Sequence, residues 1–129
     1  MRLTGRKSFI TGAAKGIGLS VARAFAAEGA AVALADISEE ESKKQSLEIK
    51  ETYGVDAIGV KCDVGDTISV QNAIKETSKA FNGLDTICCM AATLTERLDV
   101  VDLPEDEWNR TLNVNLTGSF LVCKHGIPF

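Results

Sequence analysis

The chain has 129 residues, of which 45% are hydrophobic and 25% charged, and a formal net charge of −4; this composition fits one globular domain and excludes disordered and fibrous classes. Acidic and basic residues are interspersed, so no basic stripe is available for nucleic acid or an anionic membrane surface. No apolar run has signal-peptide length or approaches the ~20 residues of a membrane span, which makes a cytoplasmic location the expectation.

In chain order, Lys7 to Thr11 is a short apolar run that predicts a strand. A glycine cluster follows, then Ile17, Val21, Ala24 and Phe25 at helical spacing. Gly29 stands where a helix ends at C′, and Ala30 to Ala35 is a continuous apolar run of the kind buried on both faces of a parallel sheet. Ser38 with Glu41 predicts a capping box opening a polar helix with a weak apolar face, closed at Tyr53-Gly54. Asp56 to Cys62 predicts a third strand. Asp66 caps a helix carrying Val70, Ala73, Ile74, Thr77 and Phe81, and Asn82-Gly83 ends it. Leu84 to Met90 predicts a fourth strand. The acidic turn Asp102 to Glu107, with Pro104 inside it, then opens a last helix bearing Trp108, Leu112 and Asn115 on one face.

Strands alternating with helices imply right-handed βαβ units and a parallel sheet covered on both faces. No linker or low-complexity tract divides the chain, so residues 1–129 read as one α/β unit. Flavodoxin-like and P-loop proteins share this alternation, so it fixes the class and leaves the ligand open. No GK[ST] follows the glycines, which argues against a P-loop.

The segment Thr11-Gly12-Ala13-Ala14-Lys15-Gly16-Ile17-Gly18 spaces its glycines G-x-x-x-G-x-G between the first strand and the first helix. A turn this tight needs positive φ, and missing Cβ atoms let a pyrophosphate approach the backbone, with the helix amino end directed at the anion. Asp36 closes the second strand about twenty positions beyond Gly16, where a carboxylate accepts hydrogen bonds from ribose hydroxyls and repels a 2′-phosphate. Lys15 is a cation that would favour NADP. Asp36 outweighs it, because its charge lies at the 2′ position and Ile37 supplies no compensating base.

These motifs resemble those of the short-chain dehydrogenases/reductases. TGAAKGIG is similar to the family's cofactor motif, Ala35-Asp36-Ile37 to the end of the second strand in NAD-preferring members, and Cys62-Asp63-Val64 to the family's Asp-Val pair at the adenine ring. The segment from Trp108 to Gly118 is similar to its Asn segment, with Asn115 at the catalytic Asn. The resemblance runs from about Leu3 to Phe129 and implies a Rossmann-type doubly wound sheet of strand order 3-2-1-4 with flanking helices. It assigns cofactor contacts to Gly12, Ala14, Lys15, Gly16, Ile17, Gly18, Asp36, Ile37, Asp63, Val64, Met90, Ala91 and Ala92. The implied cofactor is NAD rather than NADP, the substrate a small alcohol or ketone, and the full-length form a homo-oligomer. One departure stands out: Cys89-Met90-Ala91-Ala92 occupies the place of the family's Asn-Asn-Ala-Gly, keeping only Ala91.

The family's base is a Tyr with a Lys four residues on, assisted by a Ser. The only tyrosine here is Tyr53, followed four positions on by Ala57, and it precedes the third strand at the pole opposite the ligand-binding strand ends. The sequence therefore reads as the N-terminal part of an NAD(P)-binding domain, with the Ser and Tyr-Lys segment expected beyond Phe129. A non-catalytic nucleotide-binding or subunit-pairing module is the alternative. The cysteines Cys62, Cys88, Cys89 and Cys123 and the single His125 have no metal-ligand spacing, so neither a metal nor a disulfide framework is expected, and Cys88-Cys89 read as small core residues. A Cys62–Cys88 bridge is excluded by the strand order, which separates them by roughly 14 Å.

Overall fold

Apolar runs without polar alternation form the interior strands, β1 (Lys7–Thr11) and β2 (Ala31–Asp36), with β3 (Ala57–Lys61) and β4 (Thr86–Cys88) on either side. A computed structural model describes residues 1–129. Between the strands run α1 (Gly16–Ala27), α2 (Glu39–Tyr53) and α3 (Thr67–Phe81). After β4 one long helical segment comprises α4 (Glu105–Leu112), a π-helical turn (Asn113–Thr117) and α5 (Gly118–Gly126). The sheet is parallel in the order β3-β2-β1-β4, the Rossmann-type arrangement expected from the motifs.

Neighbouring residues of one strand feed opposite cores, as strand geometry requires. Phe9, Ala33 and Val60 join Val70, Ile74, Leu121 and Val122 beneath α3 and α5. Ile10, Val32 and Leu34 join Ala22, Ala26 and Ile49 beneath α1 and α2. The apolar face expected for α3 is buried in full, and Asp66 Oδ1 accepts from the N–H groups of Ile68 (2.8 Å) and Ser69 (3.2 Å). Gly54 and Asn82, at φ 66° and 56°, end α2 and α3 in the left-handed region.

Several local expectations are corrected. The buried stripe of α1 is Gly18, Ala22 and Ala26, while Ile17 and Ala24 face solvent. Small residues let this helix lie close: a Cβ on Gly18 would land on the Gly12 carbonyl. Ser38 makes no side-chain cap; Glu39, Glu40 and Glu41 in the first turn supply the favourable charge instead. The third strand is shorter than Asp56 to Cys62, and the fourth keeps only three residues of Leu84 to Met90. The cause at β4 is Thr11: Met90 N–H and Ala91 N–H donate to its Oγ1 (3.0 and 3.1 Å) instead of to a backbone carbonyl, so the chain leaves the ladder. Cys88 is half-buried and Cys89 exposed, so the second is no core residue. Trp108 and Leu112 are also exposed, the first at 54%, and α4 buries nothing.

Candidate functional site

Past the carboxyl ends of all four strands lies a cleft of about 660 Å³, within the size range of small-ligand sites. It sits where the strand order reverses: the chain leaves β1 toward β2 and β3, then returns to the other side of β1 as β4. In doubly wound sheets that switch point is where ligands bind. Every strand end contributes. Gly12, Lys15, Ile17 and Gly18 follow β1; Asp36 ends β2, with Ile37 and Ser38 after it; Cys62 to Gly65 follow β3; Met90 to Thr93 follow β4. The far wall is Arg110, Asn113 and Val114 of the long helix.

Of the residues singled out in the sequence, Gly12, Lys15, Ile17, Gly18, Asp36, Ile37, Asp63, Val64, Met90, Ala91 and Ala92 converge on this cleft. Three do not line it. Ala14 is 2% exposed and its N–H donates to Asp36 Oδ2 (3.1 Å). Gly16, at φ 59°, is exposed where α1 begins. Asn115 sits in the π-helical turn, where its Nδ2 donates to Thr93 O (2.9 Å) and its Oδ1 accepts from Thr93 N–H (2.8 Å). Its amide thus fixes the segment leaving β4.

Four residues make contacts at or beside the cleft that the sequence did not foretell. Thr11 splays β4 from β1 by the bonds described above. Asn113 Nδ2 donates to Gly65 O (3.2 Å), tying the loop after β3 to the long helix. Arg110 reaches Thr93 Oγ1 (2.7 Å) and is held by Glu107 (2.9 Å). Ser38 N–H donates to Asp36 Oδ1 (3.0 Å), so both oxygens of the nearly buried Asp36 brace backbone. The bonds of Thr11, Asn113 and Arg110 join segments far apart in the chain, whereas that of Ser38 is local to the end of β2.

The electrostatics of the helix ends separate α1 from its neighbours. The α2 amino end has three acids, and that of α3 has the Asp66 cap. At α1 the N-cap is Lys15, with no side-chain cap and no acid in the first turn. Its first N–H groups therefore keep their hydrogen-bonding capacity at the rim of the cleft, an arrangement suited to an anion. A Cβ at Gly12 would meet Ala91 Cα at 2.8 Å, so glycine there permits the close packing of β1 on the β4 exit. A nicotinamide dinucleotide fits this donor set: an uncapped helix amino end for the pyrophosphate, and a carboxylate at the neighbouring strand end for a ribose. Cys62 on the cleft floor is pushed up to about 12 by burial and then by the charges of Asp63 and Asp36, so it remains a neutral thiol.

A four-stranded parallel Rossmann-type sheet with a cleft at its switch point defines the class as a doubly wound nucleotide-binding fold. Residues 12–129 match a family model described as enoyl-(acyl carrier protein) reductase. The chain is 38% identical over 127 residues to a 2,5-dichloro-2,5-cyclohexadiene-1,4-diol dehydrogenase of Sphingobium indicum, covering 98% of this chain and 50% of the relative. It is 34% identical over 123 residues to D-threitol dehydrogenase of Mycolicibacterium smegmatis, covering 95% and 46%. A short-chain type dehydrogenase/reductase from Mycobacterium marinum superposes with a TM-score of 0.91 at 31% identity, covering 98% of this chain and 50% of that structure. The chain belongs to the short-chain dehydrogenase/reductase family of oxidoreductases, whose members use nicotinamide cofactors. It spans about half the length of the relatives it matches.

Proposed function

We propose that this chain is the NAD(H)-binding part of an oxidoreductase that exchanges hydride between a small alcohol or ketone and nicotinamide. The observation that carries the reading is the cleft with an uncapped α1 amino end on one side and Asp36 at the adjoining strand end. In this reading the pyrophosphate lies against Gly12 to Gly18, the adenosine ribose hydroxyls on Asp36, the adenine beside Ile37, Asp63 and Val64, and the nicotinamide half along Met90, Ala91 and Ala92. Each Asp36 oxygen accepts one backbone bond and keeps a second lone pair for a hydroxyl. Its charge opposes a 2′-phosphate, which favours NAD over NADP.

When bound, the nicotinamide supplies the hydride acceptor or donor. These residues bind and orient it. A base for the hydroxyl proton is needed as well. Tyr53 lies at the carboxyl end of α2, at the pole opposite the cleft, so of the family's catalytic set residues 1–129 supply Asn115 alone. Asn115 acts here by positioning Thr93 at the cleft wall. Trp108, Leu112, Leu116 and Phe120 form an exposed apolar stripe on the long helix, which supports homo-oligomer formation by the longer form.

Titration of the chain with NADH and NADPH tests the assignment. NADH should bind more tightly, and Asp36→Arg should weaken NADH and favour NADPH; an unchanged preference in folded protein removes Asp36 from its role, and no saturable NADH binding removes the cleft from its own. The exposed apolar stripe on the long helix favours a second reading, a non-catalytic nucleotide-binding or pairing module. Alcohol-dependent NAD+ reduction by the 129-residue chain would exclude that reading.

A further inference from the structure

Four anchors set α5 against β4. Asn115 holds Thr93, Gly118 lies against Val64, Ile87 fills the space beside Gly126, and α5 contributes Leu121 and Val122 to the core under the sheet. Because Gly126 meets Ile87 while Asn115 meets Thr93, the helix runs antiparallel to β4 and its middle passes over Cys89. Ser119 and Cys123 stand one turn apart on it; Cys89 follows Ile87 by two residues and Cys123 precedes Gly126 by one turn, so the Ile87–Gly126 contact brings Cys89 and Cys123 near enough for their thiols to influence each other. Alternation along the strand separates the other thiols. Cys88 points to the opposite core with Ile10 and Ala22, and Cys62 directly follows β3, roughly 14 Å away across the sheet.

We propose that Cys89 and Cys123 form a reversible modification site, a dithiol pair that closes to an intrachain disulfide by exchange with a small-molecule disulfide. One cysteine thiolate attacks a sulfur of the external disulfide, whose S–S bond breaks and releases one thiol. The second cysteine thiolate then attacks the protein sulfur of the mixed disulfide and releases the other thiol. The two cysteine sulfurs give up two electrons, the external disulfide is reduced to two thiols, and the two protons lost by the protein are those the departing thiolates take up. The bond would tie the β4 exit, and with it Met90 and Ala91 of the cleft wall, to α5. Burial, then the neighbouring Cys123, pushes the Cys89 thiol up to about 11, so the exchange is slow at neutral pH and gains speed in mild alkali.

The test uses the reduced 129-residue chain incubated with oxidised glutathione at mildly alkaline pH, quenched with acid, alkylated in denaturant and mapped by mass spectrometry without reduction. The expected product takes up two alkyl groups in place of the four of the reduced chain and yields a linked Cys89–Cys123 peptide pair. Dithiothreitol should restore all four sites. Adjacent cysteines are equivalent in an unfolded chain, so the same reaction in guanidinium gives Cys88–Cys123 and Cys89–Cys123 in similar yield, whereas the folded chain should favour Cys89 by about tenfold or more. Cys88→Ser should leave the pairing intact, and Cys123→Ser should stop at a glutathione adduct on Cys89. Four free thiols, a stable glutathione adduct in the unsubstituted chain, a Cys88–Cys89 or interchain bond, or equal use of Cys88 and Cys89 in the folded chain would each overturn the proposal.

Discussion

With one oxygen of Asp36 committed to Ala14 N–H and the other to Ser38 N–H, the carboxylate joins the glycine turn to the start of α2 before any ligand arrives. Asp36→Ala leaves the buried Ala14 N–H without an acceptor, a loss of about 1–3 kcal/mol, measurable as a lower urea midpoint. Asp36→Asn keeps an amide oxygen for one of the two bonds and should lose less. Cys62 gives a second expectation at this scale. Its pKa is raised to about 12 in the fold, while in the unfolded chain the thiol ionises near its ordinary value. The unfolded state therefore binds fewer protons above that value, and stability contributed by the neutral thiol falls as pH rises from about 9 toward 12. Urea unfolding across that range should show the decline, and Cys62→Ala should make it shallower, the raised Cys88 and Cys89 thiols accounting for part of what remains.

The three glycines of the turn before α1 serve different ends, and substitution separates them. Gly18 lies where a Cβ would strike the Gly12 carbonyl, so Gly18→Ala pushes α1 off the sheet and should cost about 3 kcal/mol. Around Gly16 the space is open, and the φ of 59° alone opposes a side chain, so Gly16→Ala should cost about 1–2 kcal/mol. If thermal melts rank the two in reverse, the close approach of α1 is not what Gly18 provides. At α3, Asp66→Ala removes two backbone hydrogen bonds at the N-cap and should cost about 1 kcal/mol, read by the same melts. The π-helical turn shows an element-scale effect that the apolar pattern does not encode: Asn115 sits in it with its amide on the backbone of Thr93, clamping the loop beyond β4.

Across the whole molecule, β4 is both the shortest strand and an edge of the sheet, while Leu116 and Phe120 leave apolar surface uncovered at 66% and 58% exposure. Surfaces of this kind promote association. Sedimentation of the 129-residue chain should show a weight-average mass that rises with concentration, and Leu116→Asp with Phe120→Asp should lower it; concentration-independent monomer would remove this helix from any pairing role. The buried face of α3, the Asp66 cap and the glycine turn were legible in the sequence because each depends on residues close along the chain: a periodicity, a cap, a required positive φ; the strand order was legible only through the resemblance of the motifs to the family's. The same local signals placed Asp36, Asp63 and Met90 at strand ends, and in a parallel sheet all strand ends of one sense meet at one edge. What neighbours in sequence do not determine, the packing decided. Ile17 faces solvent because Gly18, Ala22 and Ala26 let α1 approach more closely; β4 ends early because Thr11 captures two of its N–H groups; Arg110 and Asn113 line the cleft because a helix from the far end of the chain crosses it. Each of these outcomes depends on contacts between segments far apart in the chain, which only the folded backbone brings within reach.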